Sequence, residues 1–272
     1  MLERSRENQL QKASRQIVNS PIPLMPGYFS DETEMSRFIA IIFDDTAADY
    51  DRMERILGLG NGSRYRGQAL ARAGLAAGMS VIDVAVGTGL VACEAVRITG
   101  DPRLVVGVDP STGMLHNARV PPGVRLVEGR AEAIPFADAE FDFLSMGYAL
   151  RHITDLSAAF GEFHRVVKPG ARICILEITP AQSHVGKACL RAYMHALVPA
   201  VGRLFARSAN TAKLWRYYWE TIEACAPPEN VVATLQAYGF DNLRRQVSHA
   251  IFSEYQAVRP DNSNISQSTC NP

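Results

Sequence analysis

The sequence predicts a Rossmann-like α/β fold, a mostly parallel seven-stranded sheet with helices on both faces. Three observations carry that expectation. Short apolar runs alternate with helical stretches from residue 79 to residue 178. The first run ends in Asp83-Val-Ala-Val-Gly87-Thr-Gly89, a glycine turn between a strand and a helix. The second run is closed by Asp109, 20 residues beyond Gly89. Short apolar strands alternating with helices bury both faces of a parallel sheet.

The elements follow in order. Residues 1–30 are polar and then rich in proline (Pro21, Pro23, Pro26), which reads as a loosely docked arm. Residues 31–75 have helical spacing, punctuated at Gly58, Gly60 and Gly62, and form a lid. Within the core at 79–178, strands are expected at 79–85, 104–108, 124–127, 141–147 and 172–177. A helix over 155–167 places Leu156, Phe160, Phe163, Val166 and Val167 on one side, and Lys168-Pro169-Gly170 stops it. Residues 184–238 are again helical, divided by Pro199, Pro227 and Pro228, and form a cap inserted before two closing strands within 240–258. The polar stretch 259–272 reads as a disordered tail.

Composition narrows the function classes. Lys plus Arg number 28 and Asp plus Glu number 28, so nothing draws the whole chain to nucleic acid or to an anionic membrane. The five cysteines contain no CxxC pair and no zinc-ligand spacing. His184 and His195, eleven residues apart, fall on nearly opposite faces of one helix, so no metal is expected. No apolar stretch approaches the roughly 20 residues that span a bilayer. The charged first 20 residues lack an apolar signal core. The expectation is a cytoplasmic protein, with peripheral membrane contact and a homodimer left open.

The glycine turn lets backbone approach a ligand closely, and an acid at Asp109 can accept hydrogen bonds from ribose hydroxyls. Ala92 stands where a dinucleotide fold has its third glycine, so the pattern leaves NAD open. Asp83 at the mouth of the loop would repel a pyrophosphate and suits an ammonium group. That favours S-adenosylmethionine.

Six ordered motifs then resemble one family. Asp83-Val-Ala-Val-Gly87-Thr-Gly89 is followed by Val108-Asp109-Pro110-Ser111-Thr112-Gly113-Met114-Leu115, Ala131-Glu132-Ala133-Ile134-Pro135-Phe136, Phe141-Asp142, Leu150-Arg151-His152-Ile153-Thr154-Asp155 and Arg165-Val166-Val167-Lys168-Pro169-Gly170. The chain resembles the UbiE/COQ5/MenG class I methyltransferases over about residues 43–258. Phe43-Asp-Asp-Thr-Ala-Ala-Asp-Tyr50-Asp51 is similar to the lid of that family, and Trp215–Ile222 to its late helical motif. The resemblance implies that Asp83, Ala85, Gly87, Thr88 and Gly89 hold the methionine part of the cofactor, that Asp109 and Pro110 hold the ribose, that Met114 and Ala131 hold the adenine, and that Tyr50 closes over them. Arg130, beside Ala131 and Glu132, replaces the Asp or Asn of many relatives and has no acceptor for an adenine amino group. Arg151-His152 replaces Arg-Asn, and Leu176-Glu177-Ile178 replaces Leu-Glu-Phe. C-methylation of a quinone precursor is the first expectation. A terpenoid or prenyl diphosphate, another secondary metabolite, or a non-catalytic cofactor-binding role are the alternatives.

Tyr148, Arg151 and His152 follow the fourth strand, where methyl transfer is expected. His152 can take a proton from a phenolic or enolic oxygen. Arg151 is always charged, so its expected role is to stabilise that oxygen, or else to pair with Asp155. Tyr148 would line the pocket. For an apolar substrate the cap offers Tyr193, Leu197, Trp215, Tyr218 and Trp219. A diphosphate would need Arg64, Arg66 or Arg216.

Overall fold

The computed structural model describes residues 20–57, 61–181, 183–193, 196, 198 and 210–261. Seven strands form one sheet: β1 (Val81–Val84), β2 (Val105–Asp109), β3 (Arg125–Glu128), β4 (Phe141–Gly147), β5 (Val167–Ile178), β6 (Asp241–Ser248) and β7 (Phe252–Val258). Their spatial order is β3-β2-β1-β4-β5-β7-β6. Strands β1 to β5 are parallel, and β7 runs antiparallel between β5 and β6. Each strand falls on an expected apolar run. β5 is longer than its run because Val167 already pairs with Phe141, before an irregularity sets Arg172 beside Phe143. Lys168-Pro169-Gly170 therefore lies within β5 and leaves no separate loop after the helix.

The helices are α1 (Glu32–Leu57), α2 (Gly62–Ala73), α3 (Leu90–Thr99), α4 (Thr112–Asn117), α5 (Leu156–Val166), α6 (His184–Ala192), α7 (Asn210–Ala224) and α8 (Pro228–Ala237). Strand side chains alternate between two cores, as the pleat requires. Leu144, Ile173 and Ile175 face Leu156, Phe160 and Phe163 of α5 and Leu235 of α8. Phe143, Cys174 and Leu176 face Leu70 of α2 and Val91, Ala92 and Ala95 of α3. The α5 stripe recurs every three or four residues and is fully buried, and Asp155 caps its start by accepting the Ala158 amide at 3.0 Å.

A third core builds the lid and cap. Ile22, Phe29, Met35 and Ile42 pack with Leu214, Tyr217, Tyr218 and Trp219 of α7. Asp31 accepts the Glu34 amide at 2.8 Å while Glu34 accepts the Ser30 amide at 2.8 Å, a reciprocal start to α1. Residues 20–30 are therefore not a loosely docked arm. Ile22 and Phe29 are buried, and the Pro21 carbonyl accepts the Ala226 amide at 2.6 Å. Apolar side chains that fill the gap between α1 and α7 outweigh the freedom expected from the prolines. Arg259, counted with the tail, is likewise anchored: its Nη1 donates to the carbonyls of His164 at 2.8 Å and Val167 at 2.6 Å. Gly58 and Gly60 lie outside the described residues, and Gly62 opens α2. Among the described residues no helix is long and apolar enough to cross a membrane.

Phe163 is fully buried between α5 and the sheet. Phe163→Ala should cost about 3–5 kcal/mol of stability, read as a lowered denaturation midpoint with an unchanged slope.

Candidate active site

A cavity opens at the carboxyl ends of β1, β2 and β4, under α1. This is where an open α/β sheet leaves a crevice, because the chain crosses to opposite sides of β1. The turn after β1 bends sharply: Ala85, Gly87 and Gly89 have φ of 57°, 56° and 91°. A Cβ at Gly89 would strike the Val120 side chain, whereas one at Gly87 would meet nothing within 4 Å. The turn is thus packed on one side and open on the other, as a backbone cradle must be.

Two buried carboxylates flank it. Asp83, 1% exposed, accepts the Ser145 hydroxyl at 2.7 Å through Oδ1, and its Oδ2 is buried without a partner. Burial lifts its pKa to about 7, against the pull of the Ser145 hydroxyl. Asp109 accepts the Gly87 amide at 2.7 Å and the Ser111 amide at 2.8 Å, one on each oxygen, and burial lifts it to about 6. It ties the glycine turn to the start of α4. Ser111, the N-cap of α4, accepts the Met114 amide at 3.0 Å.

Pro110, Met114, Arg130, Ala131 and Glu132 line the side of the cavity next to Asp109. Arg130 donates to the Thr154 hydroxyl at 3.2 Å and to Glu132 at 3.4 Å. Glu132 also accepts the Thr154 amide and hydroxyl, at 3.1 and 2.7 Å. The lid is fastened over this side. Asp44 accepts from the Ser111 hydroxyl at 2.5 Å and the Gly113 amide at 2.9 Å, and Thr88 donates to Asp51.

The other end is aromatic. Phe43, Tyr50, Tyr148, His152 and Tyr218 line it. The His152 ring stacks on Tyr217 and Tyr218, with centroids 5.4 and 5.6 Å away, and meets Phe43 edge-on at 5.2 Å. Its Nδ1 lies 3.1 Å from the Tyr217 hydroxyl, and its Nε2 is buried without a partner. Burial and then the Arg151 charge hold its pKa well below the ordinary value, so the ring is neutral. Tyr50 and Tyr218 share a hydrogen bond at 3.1 Å.

Arg151 does not line the cavity. It forms a buried ion pair with Glu177, both 1% exposed, and its guanidinium sits 4.7 Å under the Tyr218 ring. The expectation that it meets substrate is corrected. Glu177, buried at the end of β5, needs a cation, and Asp155, the expected partner, caps α5 instead. Among the described cap residues only Tyr218 lines the cavity. Trp215 and Trp219 pack within the cap, Trp215 edge-on to Tyr218 at 5.2 Å, and Tyr193 is half-buried there. Leu197 and His195 lie outside the described residues. Arg64 and Arg216 are exposed and do not line the cavity. Among the described residues no group of His, Cys, Asp and Glu could hold a metal ion.

Several lining residues carry no sequence motif. Ser36, Ile39 and Ala40 precede Phe43 on α1, and Glu54 pairs with Arg66 of α2 at 2.6 Å. The helical spacing of 36, 39, 40 and 43 is their one signal; Arg66 is the one of the three expected diphosphate arginines that lines the cavity, and Glu54 has no sequence signal.

Asp83→Asn keeps an acceptor for Ser145 and removes a carboxylate that burial disfavours. The folded pKa lies above that of the unfolded chain, so the cost is greatest above pH 7 and fades as pH falls toward 4. The variant should gain about 1–4 kcal/mol at neutral pH and progressively less below it, read from denaturation across that range. An equal effect at every pH would contradict the assignment.

Comparison with known proteins gives this geometry a family. Residues 30–253 match the model of the ubiE/COQ5 methyltransferase family. A demethylmenaquinone methyltransferase from Lactiplantibacillus plantarum is 34% identical over 212 residues, covering 75% of this chain and 88% of the relative. A ubiquinone/menaquinone biosynthesis C-methyltransferase UbiE from Marinomonas sp. is 30% identical over 220 residues, 78% of this chain and 86% of the relative. In fold the chain is similar to a SAM-dependent methyltransferase from Thermotoga maritima (TM-score 0.56, 18% identity, 80% of this chain and 98% of that one). It is also similar to Haemonchus contortus phosphoethanolamine N-methyltransferase 2 with S-adenosyl-L-methionine (TM-score 0.53, 17% identity, 72% of this chain and 52% of that one). NAD and a non-catalytic role give way to this match. The chain therefore belongs to the ubiE/COQ5 family and is an S-adenosylmethionine-dependent methyltransferase.

Proposed function

We propose that the enzyme C-methylates a hydroxylated, apolar ring of the quinone-precursor type. The observation that carries this is a neutral imidazole whose Nε2 lacks a partner, set in an aromatic-walled end of the cavity. Flat walls suit a flat ring, and the one unpartnered nitrogen suits a ring hydroxyl. The two curated relatives, named for quinone-type methylation, are covered over most of their length.

S-adenosylmethionine supplies an electrophilic methyl group. Asp83 Oδ2 would receive its ammonium group, Asp109 the ribose hydroxyls, and Met114 and Ala131 the adenine, with the Gly87–Gly89 backbone beneath and Tyr50 above. Glu132 has the acceptor oxygens that Arg130 lacks and would take the adenine amino group. Tyr148, Phe43 and Tyr218 would hold the substrate ring in line with the methyl carbon, which is where much of the rate acceleration arises. His152 Nε2 would accept the proton of the ring hydroxyl, leaving an enolate whose carbon attacks as the carbon–sulfur bond breaks. The methylated carbon would then release its C–H proton to solvent, restoring the aromatic ring, and the ring oxygen would take back the proton held by His152. Arg151 would act at a distance: its charge, held in place by the pairing with Glu177, supports the Tyr218 ring and keeps His152 unprotonated.

Transfer of labelled methyl to a reduced benzoquinol or naphthoquinol, with carbon-attached label, tests the reading. Label that reaches only oxygen, or only a prenyl diphosphate, overturns it. His152→Gln should lower kcat by about 10²- to 10⁴-fold with cofactor affinity unchanged. Because the folded imidazole titrates well below its ordinary value, the acid limb of wild-type kcat/KM should lie well below pH 6.5 and vanish in the variant. A wild-type limb near 6.5, or full activity in the variant, removes His152 as the base.

A further inference from the structure

Two buried groups of opposite charge border the same cavity, each with an atom lacking a partner: Asp83 Oδ2 and Arg66 Nε. Arg66 is 3% exposed. A buried guanidinium needs a counter-charge, and here Glu54 of the lid provides it at 2.6 Å. The partners are unequal. The Arg66 side chain is 4% exposed and that of Glu54 is 26%, so Glu54 keeps a route to water and Arg66 has none. The other cavity arginine, Arg130, is half exposed and sits with Glu132 and Thr154 on the opposite side. The Arg66 charge is felt at Asp83, Tyr50 and Tyr148, all of which line the cavity.

A methionine head carries an ammonium and a carboxylate on one carbon. Asp83 meets the first charge, and the second requires a cation close by. Building on the cofactor site argued above, we infer that Arg66 is the receptor for the cofactor's carboxylate, and that Glu54 stands in for that carboxylate until the cofactor arrives. Gly62 makes the stand-in fit: a Cβ there would collide with the Glu54 carboxylate and the Arg66 guanidinium, so the pair rests on a bare Cα. When the cofactor's carboxylate takes Arg66, Glu54 turns outward. Cofactor entry is thereby coupled to the segment of α1 that also carries Tyr50 and Asp51.

Calorimetric titration of the whole chain separates the parts. S-adenosylhomocysteine carries the amino-acid head, and 5′-methylthioadenosine lacks it. Arg66→Gln should weaken the first by about tenfold or more and leave the second unchanged, which also shows that the variant is folded. Glu54→Gln should tighten S-adenosylhomocysteine severalfold and leave methylthioadenosine unchanged, because an internal competitor has been removed. Equal loss of both ligands in Arg66→Gln, no loss of either, or weaker S-adenosylhomocysteine binding in Glu54→Gln overturns the inference. A wild-type chain that binds neither ligand overturns the cofactor site itself, and this one with it.

Discussion

The crossing of the chain at β1 is the constraint on which the site depends. β2 lies on one side of β1 and β4 on the other, so the connections leave in opposite directions and nothing in the sheet covers the end of β1. Asp83 is buried near that end of β1, and a lid lies over the cavity it borders. That lid is α1, and its contacts are set by helical arithmetic. Ser36, Phe43, Tyr50 and Glu54 return to nearly the same angular position at 100° per residue and all line the cavity. Asp44 and Asp51, seven residues apart, share a neighbouring stripe and bind Ser111, Gly113 and Thr88. One face of one helix thus closes the site and also fastens it to the two turns that bear the glycines and Asp109.

The two ends of the cavity use burial differently. Near Asp83 a dry environment strengthens the attraction for a charged ligand group, and the buried carboxylate is disfavoured until that group arrives. At the aromatic end burial suppresses charge altogether. His152 is kept neutral by desolvation and by Arg151, and burial raises the pKa of Tyr148 and Tyr218 so that both stay protonated. Arg151 could not exert that influence if it were solvated. Its pairing with Glu177 holds a full positive charge beneath Tyr218 without presenting it to the cavity.

The core was legible because its signals are periodic or local. Alternation within β4 and β5, the α5 stripe and the glycine turn each reflect contacts that repeat along the chain. The limits were equally physical. Trp215, Tyr218 and Trp219 are neighbours on one helix with similar composition, and only the direction in which α7 packs decides that Tyr218 alone meets the cavity. Glu177 matches the glutamate of the family's Leu-Glu-Phe and only Ile178 departs from it; the partnership of Glu177 with Arg151, 26 residues earlier, is made by strand pairing and carries no local signal. Glu54 and Arg66 are ordinary helical charges in sequence, and become a site element because two helices meet over Gly62.

Backbone strain gathers where the two ends join. Ala85 and Tyr148 both adopt left-handed φ, 57° and 60°, without being glycine, and they end the adjacent strands β1 and β4. Such conformations cost about 1–3 kcal/mol each and persist only where surrounding bonds fix them. Here Val86 donates to the Val108 carbonyl at 3.0 Å and Tyr148 to the Leu176 carbonyl at 2.7 Å, so each bend is fastened to the next strand. The bends turn the chain away from the sheet at the two points where it would otherwise run across the crevice. They leave the Ala85 backbone beside the glycine turn and hold the Tyr148 ring edge-on to Phe252, 6.2 Å away. The sheet thereby fixes Tyr148 of the aromatic end relative to the charged end, and the lid and cap complete that wall with Phe43, Tyr50 and Tyr218.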